Sequence, residues 1–127
     1  GGLVMLLLGC QRGLGDYCVR PTSLPYEEVR SLVRSLGTEG YVETKRAELG
    51  EESLPFYENF LTQSNGEALR KADIFVYTPD IPIETMKSFG LFRAFASAEE
   101  MIEAALRFHP KADVVLSPSG GVCYPVF

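Results

Sequence analysis

Three short apolar runs divide the chain. They lie at residues 3–8, 74–78 and 113–117. The first is apolar at every position, which is typical of a parallel strand that is covered on both faces. A weaker run at residues 91–95 predicts one further brief strand. The sequence therefore predicts about four strands, distributed along the whole chain rather than gathered in one part of it.

Between the first two runs, apolar residues recur with helical spacing. Counted from Val29, residues 25–36 carry them at i, i+3, i+4 and i+7. Pro25 suits a first helical turn, and Gly37 follows at the position where helices commonly end. The polar segment 39–52 is predicted to be partly helical.

Two more helices are predicted at residues 55–70 and 98–108. The first is weakened by the sequence Ser-Asn-Gly at residues 64–66. The second opens with a capping box, in which Ser97 caps the helix and Glu100 reaches back. Its apolar face is predicted to consist of four residues: Met101, Ile102, Ala105 and Phe108.

Strands that alternate with helices predict a three-layer, Rossmann-like α/β domain with a mostly parallel sheet and right-handed crossovers. The whole of residues 1–127 is expected to form this single domain. Because a strand begins at residue 3 without an initiator methionine, we expect the domain to be the C-terminal part of a larger two-domain protein.

Composition and charge exclude several classes. The net charge is −5 and no basic run is longer than Lys45-Arg46, which argues against nucleic acid as a partner. The apolar run at residues 3–8 is far shorter than the roughly 20 residues that span a bilayer, so no membrane partner is expected. The three cysteines have neither zinc-site nor disulfide-framework spacing, which favours thiols in a reducing cytoplasm and no bound metal.

The candidate ligand-facing residues follow the strands, because open α/β sheets bind ligands at the carboxyl ends of their strands. Glycines after the first strand would let backbone N–H groups approach an anion, but Cys18 and Pro21 break the dinucleotide-binding pattern. We therefore expect weak or no binding of NAD or nucleotides. The candidates from this edge are Gln11, Arg12, Gly13, Gly15, Asp80, Ser119 and Gly120.

Each candidate has a simpler alternative. The glycine loop faces a ligand or partner, or it is only a turn. Asp80 acts as an acid or base, or it bonds backbone within its own turn. Arg12 pairs with a carboxylate, or it is solvated. His109, the only histidine, sits at a predicted helix end where a cation suits the helix dipole. Since nothing orients it, no catalytic residue is assigned.

The order of these motifs resembles the late portion of the C-terminal domain of nickel-pincer lactate racemases. That family carries a Gly-Gly-strand-x-Cys-x-x-Gly-x-Gly pattern, matched here by Gly1, Gly2, Cys10, Gly13 and Gly15. Residues 72–80 are similar to its second strand and acidic end. Residues 95–105 and 112–120 are similar to its closing helix and strand.

The resemblance implies an isomerase in which this domain covers an active site shared with an N-terminal domain. In that family, the N-terminal domain supplies the lysine that anchors the nickel-pincer nucleotide, and the metal-binding and catalytic histidines. A hydride leaves the carbon of a small 2-hydroxy acid and returns to either face. This chain would then hold no cofactor itself. An aromatic position that is tryptophan in the family falls at Phe60, which questions lactate as the substrate.

The alternative interpretation is a non-catalytic α/β binding or interaction module, because no catalytic set is present. A long coding region upstream of Gly1, rich in His and Lys, would favour the racemase. A start codon at Gly1 would favour the module.

Overall fold

The computed structural model describes residues 1–13, 24–49 and 56–117, without the side chains of residues 45, 48, 49 and 56–63. The described part is a mixed α/β fold with parallel strands, as the sequence predicts. In chain order its elements are β1 (Gly2–Leu7), α1 (Tyr26–Leu49), α2 (Phe56–Lys71), β2 (Ala72–Tyr77), α3 (Ile83–Lys87), β3 (Arg93–Ala94) and α4 (Ala98–Phe108).

The three strands lie in the order β1-β2-β3, and both pairings are parallel. Gly2 lies opposite Ala72 and Leu7 opposite Tyr77, so β1 and β2 are in register along their full length. Their carboxyl ends are therefore level with each other at one edge of the sheet, where the chain leaves both strands.

Helices cover both faces of the sheet. Successive side chains of a strand point to opposite faces. Ile74 packs against the cluster that contains Val29 of α1, whereas Phe75 packs against Met101 of α4. The three-layer arrangement that the alternating pattern predicts is thereby confirmed.

Gly37 interrupts α1. Its backbone has φ 76° and ψ 179°, a conformation that side chains with a Cβ avoid, so the helix breaks there as predicted. The chain then resumes as a second helical stretch, in the segment expected to be partly helical. Tyr41, in this second stretch, is fully buried and belongs to the same core cluster as Val29 and Leu69.

The glycine in the Ser-Asn-Gly sequence has a packing role that the sequence did not indicate. Helix α2 continues through Gly66. A Cβ at this position would lie 2.9 Å from Cγ2 of Thr38 and 3.3 Å from Cδ1 of Tyr41. The lack of a side chain thus allows α1 and α2 to approach each other closely.

The capping box of α4 is present in a modified form. Ser97 Oγ accepts a hydrogen bond from the Glu100 amide at 3.1 Å, and Glu100 Oε2 accepts one from the Ala96 amide at 3.3 Å. The predicted apolar face needs one correction. Ile102 and Phe108 are 46% and 54% exposed, although the Phe108 ring still contacts that of Phe75, and Ala104 is buried against the sheet in addition to Met101 and Ala105. No helix in the described ranges is long and apolar enough to cross a membrane.

The strand predicted at residues 113–117 is not formed. After α4 the Ala112 amide donates to the carbonyl of His109 at 3.2 Å, and the following residues enter no strand ladder with the described sheet. Val115 is 94% exposed and Leu116 84%. A continuous apolar run indicates a segment that suits a sheet, but it does not specify a neighbouring strand, so the prediction of four strands becomes three in the described residues.

Candidate functional site

The loop after β1 is a closed turn at the carboxyl edge of the sheet. The Leu8 amide donates to the carbonyl of Tyr77 at 3.0 Å, which carries the ladder with β2 one residue past the end of β1. The Gly13 amide then donates to the carbonyl of Cys10 at 2.8 Å. Gly13 has φ 77°, where a side chain would be strained. We call residues 10–13 the β1 turn.

The end of β2 carries an aspartate that bonds to this turn. Thr78 is buried, and its Oγ1 accepts a hydrogen bond from the Asp80 amide at 3.3 Å. Asp80 Oδ2 in turn accepts a hydrogen bond from the Cys10 amide at 2.6 Å, across 70 positions of sequence. The loops that follow β1 and β2 are thus joined by a carboxylate–backbone bond.

The contact seen for Asp80 matches neither of its two interpretations, as an acid or base or as an aspartate that bonds backbone within its own turn. The carboxylate does bond backbone, as a turn-forming aspartate does, but the backbone belongs to the other loop. The contact that the carboxylate makes in the structure is therefore with the β1 turn. Gln11 and Arg12 lie on that turn with exposed side chains.

Arg12 is the cation that the described part of this edge presents. It makes no ion pair within the described residues, and its planar guanidinium can bind a carboxylate through two parallel hydrogen bonds. The arrangement can therefore bind an anionic group. Cys10, at the start of the same turn, is a partly exposed free cysteine.

The other predicted site residues are not brought to this turn by the described structure. Gly15, Ser119 and Gly120 lie outside the described residues, and so does the side chain of Phe60, whose backbone belongs to α2. His109 is the C-cap residue of α4, with its amide bonded to the carbonyl of Ala105 at 2.9 Å. No group of three or more His, Cys, Asp or Glu residues within the described ranges could hold a metal ion.

A second polar cluster joins α1 to the beginning of β2. Asp73 accepts hydrogen bonds from the Tyr26 hydroxyl at 2.9 Å, from Arg30 Nη2 at 3.1 Å and from Arg34 Nη2 at 3.3 Å. Arg30 Nε also donates to the carboxylate. Sequence reasoning missed this cluster. The available signal was the spacing of its three donors at i, i+4 and i+8, which places them on one flank of a helix.

These contacts lower the pKa of Asp73 and raise those of Tyr26 and Arg30. Burial of Asp73 acts to raise its pKa, but hydrogen bonds from Arg30 and Tyr26, together with the charges of Arg30 and Arg34, hold it below the usual value. Burial of Tyr26, and its bond to the Asp73 carboxylate, raise the pKa of its hydroxyl to about 12. Around neutral pH the cluster contains an ionised Asp73 and a neutral Tyr26.

Arg93 completes the cluster on the side of β3. Its guanidinium carbon lies 5.7 Å from the ring centre of Tyr26, 5.5 Å from that of Phe75 and 5.3 Å from that of Phe108. It also pairs with Glu27. The cavity beside these groups has a volume of about 50 Å³, which suits water rather than a substrate. Because its charged groups pair with one another, this cluster has the features of a structural contact between α1 and the sheet rather than of a ligand site.

Comparison of the chain with protein-family models, with curated protein sequences and with solved structures finds no significant match. The candidate site is therefore described by its own residues alone.

Proposed function

We propose that this chain is the C-terminal domain of a nickel-pincer-dependent 2-hydroxy-acid racemase or epimerase homologue. In that role it covers an active site shared with an N-terminal domain of the same polypeptide. It contributes binding and enclosure rather than a catalytic group.

One observation carries the proposal beyond the resemblance itself. The Gly-Gly-strand-Cys-Gly stretch and the strand with an acidic end are separate motifs in the sequence. The bond between the Cys10 amide and Asp80 brings them together at the carboxyl edge of a parallel sheet. That edge is where open α/β sheets bind ligands, which supports a ligand-covering role for these two loops.

The chemistry of the exposed turn fits a small carboxylate substrate. Arg12 offers a guanidinium to the carboxylate of a 2-hydroxy acid, or to an acidic side chain of the N-terminal domain. Gln11 adds an uncharged donor and acceptor next to it. Both of these proposed partners are anionic, so binding of either one would depend on the positive charge of Arg12.

In this proposal the nickel-pincer nucleotide is held by the N-terminal domain rather than by this chain. Among the described residues, no group of three or more His, Cys, Asp or Glu could hold a metal ion. The anchoring lysine and the histidines belong to the N-terminal domain in the family that the chain resembles. When bound there, the cofactor supplies the acceptor for the hydride. This chain would close over the substrate.

A racemisation assay tests the proposal. It uses the longest polypeptide that contains these residues, loaded with the cofactor and supplied with D- or L-lactate and a panel of other 2-hydroxy acids. We expect loss of optical activity with the long polypeptide and none with the 127-residue chain. Failure of the loaded polypeptide to racemise or epimerise any member of the panel would contradict the proposal.

A matched pair of variants tests the role of Arg12. Arg12→Ala should weaken activity or interdomain docking, yet change the stability of the 127-residue chain by only about 0–1 kcal/mol, because an exposed cation contributes little. Lys111→Ala removes another exposed cation beyond the C-terminal end of α4 and should leave activity unchanged. Unaltered kinetics of the Arg12→Ala polypeptide would remove this residue from the site.

The second candidate function is a binding or interaction module without chemistry. It is favoured by the state of Asp80, whose carboxylate is already engaged with backbone. Saturable binding of a carboxylate compound by the 127-residue chain, combined with no turnover by the longer polypeptide, would favour this function over the racemase.

A further inference from the structure

We infer that Asp80 is a positioning residue for Arg12: its carboxylate holds the β1 turn in the shape that presents the Arg12 guanidinium. The inference rests on the proposed function in so far as that function gives Arg12 a ligand. It assigns to Asp80 a role through the backbone of another loop.

Asp80 is itself held by Thr78, the residue that follows β2. Its amide bonds to the buried hydroxyl oxygen of Thr78. The bond from the Leu8 amide to the carbonyl of Tyr77 keeps the ends of β1 and β2 level. These bonds fix the backbone of Asp80, and its carboxylate extends from there to the loop that follows β1.

Cys10 anchors the β1 turn through both of its backbone polar groups. The Cys10 amide donates to Asp80, and the Cys10 carbonyl accepts from the Gly13 amide. Arg12 lies between these residues, on the side of the turn that faces solvent. Without the carboxylate, the turn would keep its internal bond but lose its attachment to β2, so the direction of Arg12 would no longer be fixed.

A charged acceptor suits this task better than a neutral one. Hydrogen bonds to an ionised carboxylate are shorter and stronger than those to an amide oxygen, and the Cys10 bond is short at 2.6 Å. Because Asp80 is exposed, the bond affects local order in the turn more than the stability of the whole domain.

Hydrogen exchange of the Cys10 amide tests the positioning step directly, in the 127-residue chain and without any ligand. Asp80→Ala should speed exchange of this amide about tenfold, the effect of losing one net hydrogen bond. Asp80→Asn keeps an acceptor oxygen without the charge and should give an intermediate rate. Asp113→Ala, which removes an exposed aspartate in the segment after α4, is the matched control and should change nothing.

A double-mutant cycle in the longer polypeptide tests the consequence for function, with lactate or the best substrate of the panel as the probe. We expect Arg12→Ala and Asp80→Ala each to raise KM about tenfold with little change in kcat. The double variant should be no worse than Arg12→Ala alone, because both changes remove the same presented charge. Partial recovery of KM in Asp80→Asn would support positioning by an acceptor oxygen.

The outcomes separate this inference from the proposed function. Absence of turnover in every form contradicts the racemase and leaves the exchange experiment to decide the role of Asp80. An unchanged exchange rate of the Cys10 amide in Asp80→Ala overturns the inference, and so do strictly additive effects of the two substitutions on KM.

Discussion

Arg30 donates two hydrogen bonds to Asp73, one from Nε and one from Nη2, the latter at 3.1 Å. The pair connects the first half of α1 to the start of β2, 43 positions further along the chain. Tyr26 adds its hydroxyl to the same carboxylate at 2.9 Å. The helix is thus attached to the sheet by polar contacts at the margin of the apolar cluster around Val29.

Asp73 should make stability depend on acid pH. Its pKa is lower in the folded chain than in the unfolded one, so its contribution is present above about pH 4, the unfolded value, and is lost as pH falls through the lower folded value. Asp73→Asn should lower the free energy of unfolding at pH 7 by about 1–3 kcal/mol, because Arg30 loses a charged partner. It should also flatten the decline below pH 4. Urea unfolding measured from pH 7 to pH 3 checks both effects, with exposed Asp113→Asn as the control. A decline as steep as in the parent chain would contradict the assignment.

Tyr26 should act at the other end of the pH range. Its pKa is raised to about 12, against about 10 in an unfolded chain. The stability that comes from the neutral hydroxyl is therefore complete below about pH 10 and is lost as pH rises towards 12. Tyr26→Phe should cost about 1 kcal/mol at pH 7 through the lost hydrogen bond and should remove this alkaline decline. Unfolding curves between pH 8 and pH 11 provide the measurement. Tyr77→Phe, in β2, should keep the decline.

Arg93 should resist replacement by lysine. The planar guanidinium lies near three aromatic rings, a set of contacts that a compact ammonium group does not reproduce. Arg93→Lys should therefore destabilise the chain by about 1 kcal/mol, whereas Glu27→Gln should cost less because that ion pair is exposed. Thermal unfolding of the two variants compares these contributions. Equal losses would mean that charge pairing, rather than stacking, holds Arg93.

Gly66 provides a test of helix packing that uses a paired variant. Gly66→Ala gains about 1 kcal/mol of helix propensity, but its Cβ meets Cγ2 of Thr38, and such overpacking costs about 1–3 kcal/mol. We expect a net loss of stability. In a Thr38→Ser background the methyl group is gone, while the hydroxyl that bonds Glu67 is kept, so the same substitution should become neutral or stabilising. Chemical unfolding of the four chains measures this coupling, and its absence would show that the helices separate freely.

The regular elements could be predicted because they follow from burial. The apolar runs predict β1 and β2, and the capping residues predict the start of α4, from neighbouring residues alone. Gly37 likewise identifies the break in α1, since its positive φ is a property of the residue itself. The parallel arrangement followed from the alternation of strands and helices.

The contacts between distant elements could not be predicted in the same way. Cys10 and Asp80 each follow a predicted strand in the sequence, but only the adjacency of β1 and β2 brings the Cys10 amide to the Asp80 carboxylate. The sequence around Asp73 likewise does not indicate that its partners are Tyr26, Arg30 and Arg34 of α1. The run at residues 113–117 failed for the same reason, because its composition suits a strand and its neighbour is not encoded locally.

The position of β1 at the margin of the sheet has a consequence for handling the chain. Within the described residues β1 pairs with β2 on one side only, and its Val4 and Leu7 are 44% and 62% exposed. A strand margin with free N–H and C=O groups and apolar side chains is a template for adding another strand. We expect Val4→Lys, which places a charge on the described margin of β1, to lower the self-association of the chain in concentrated solution, as light scattering would measure.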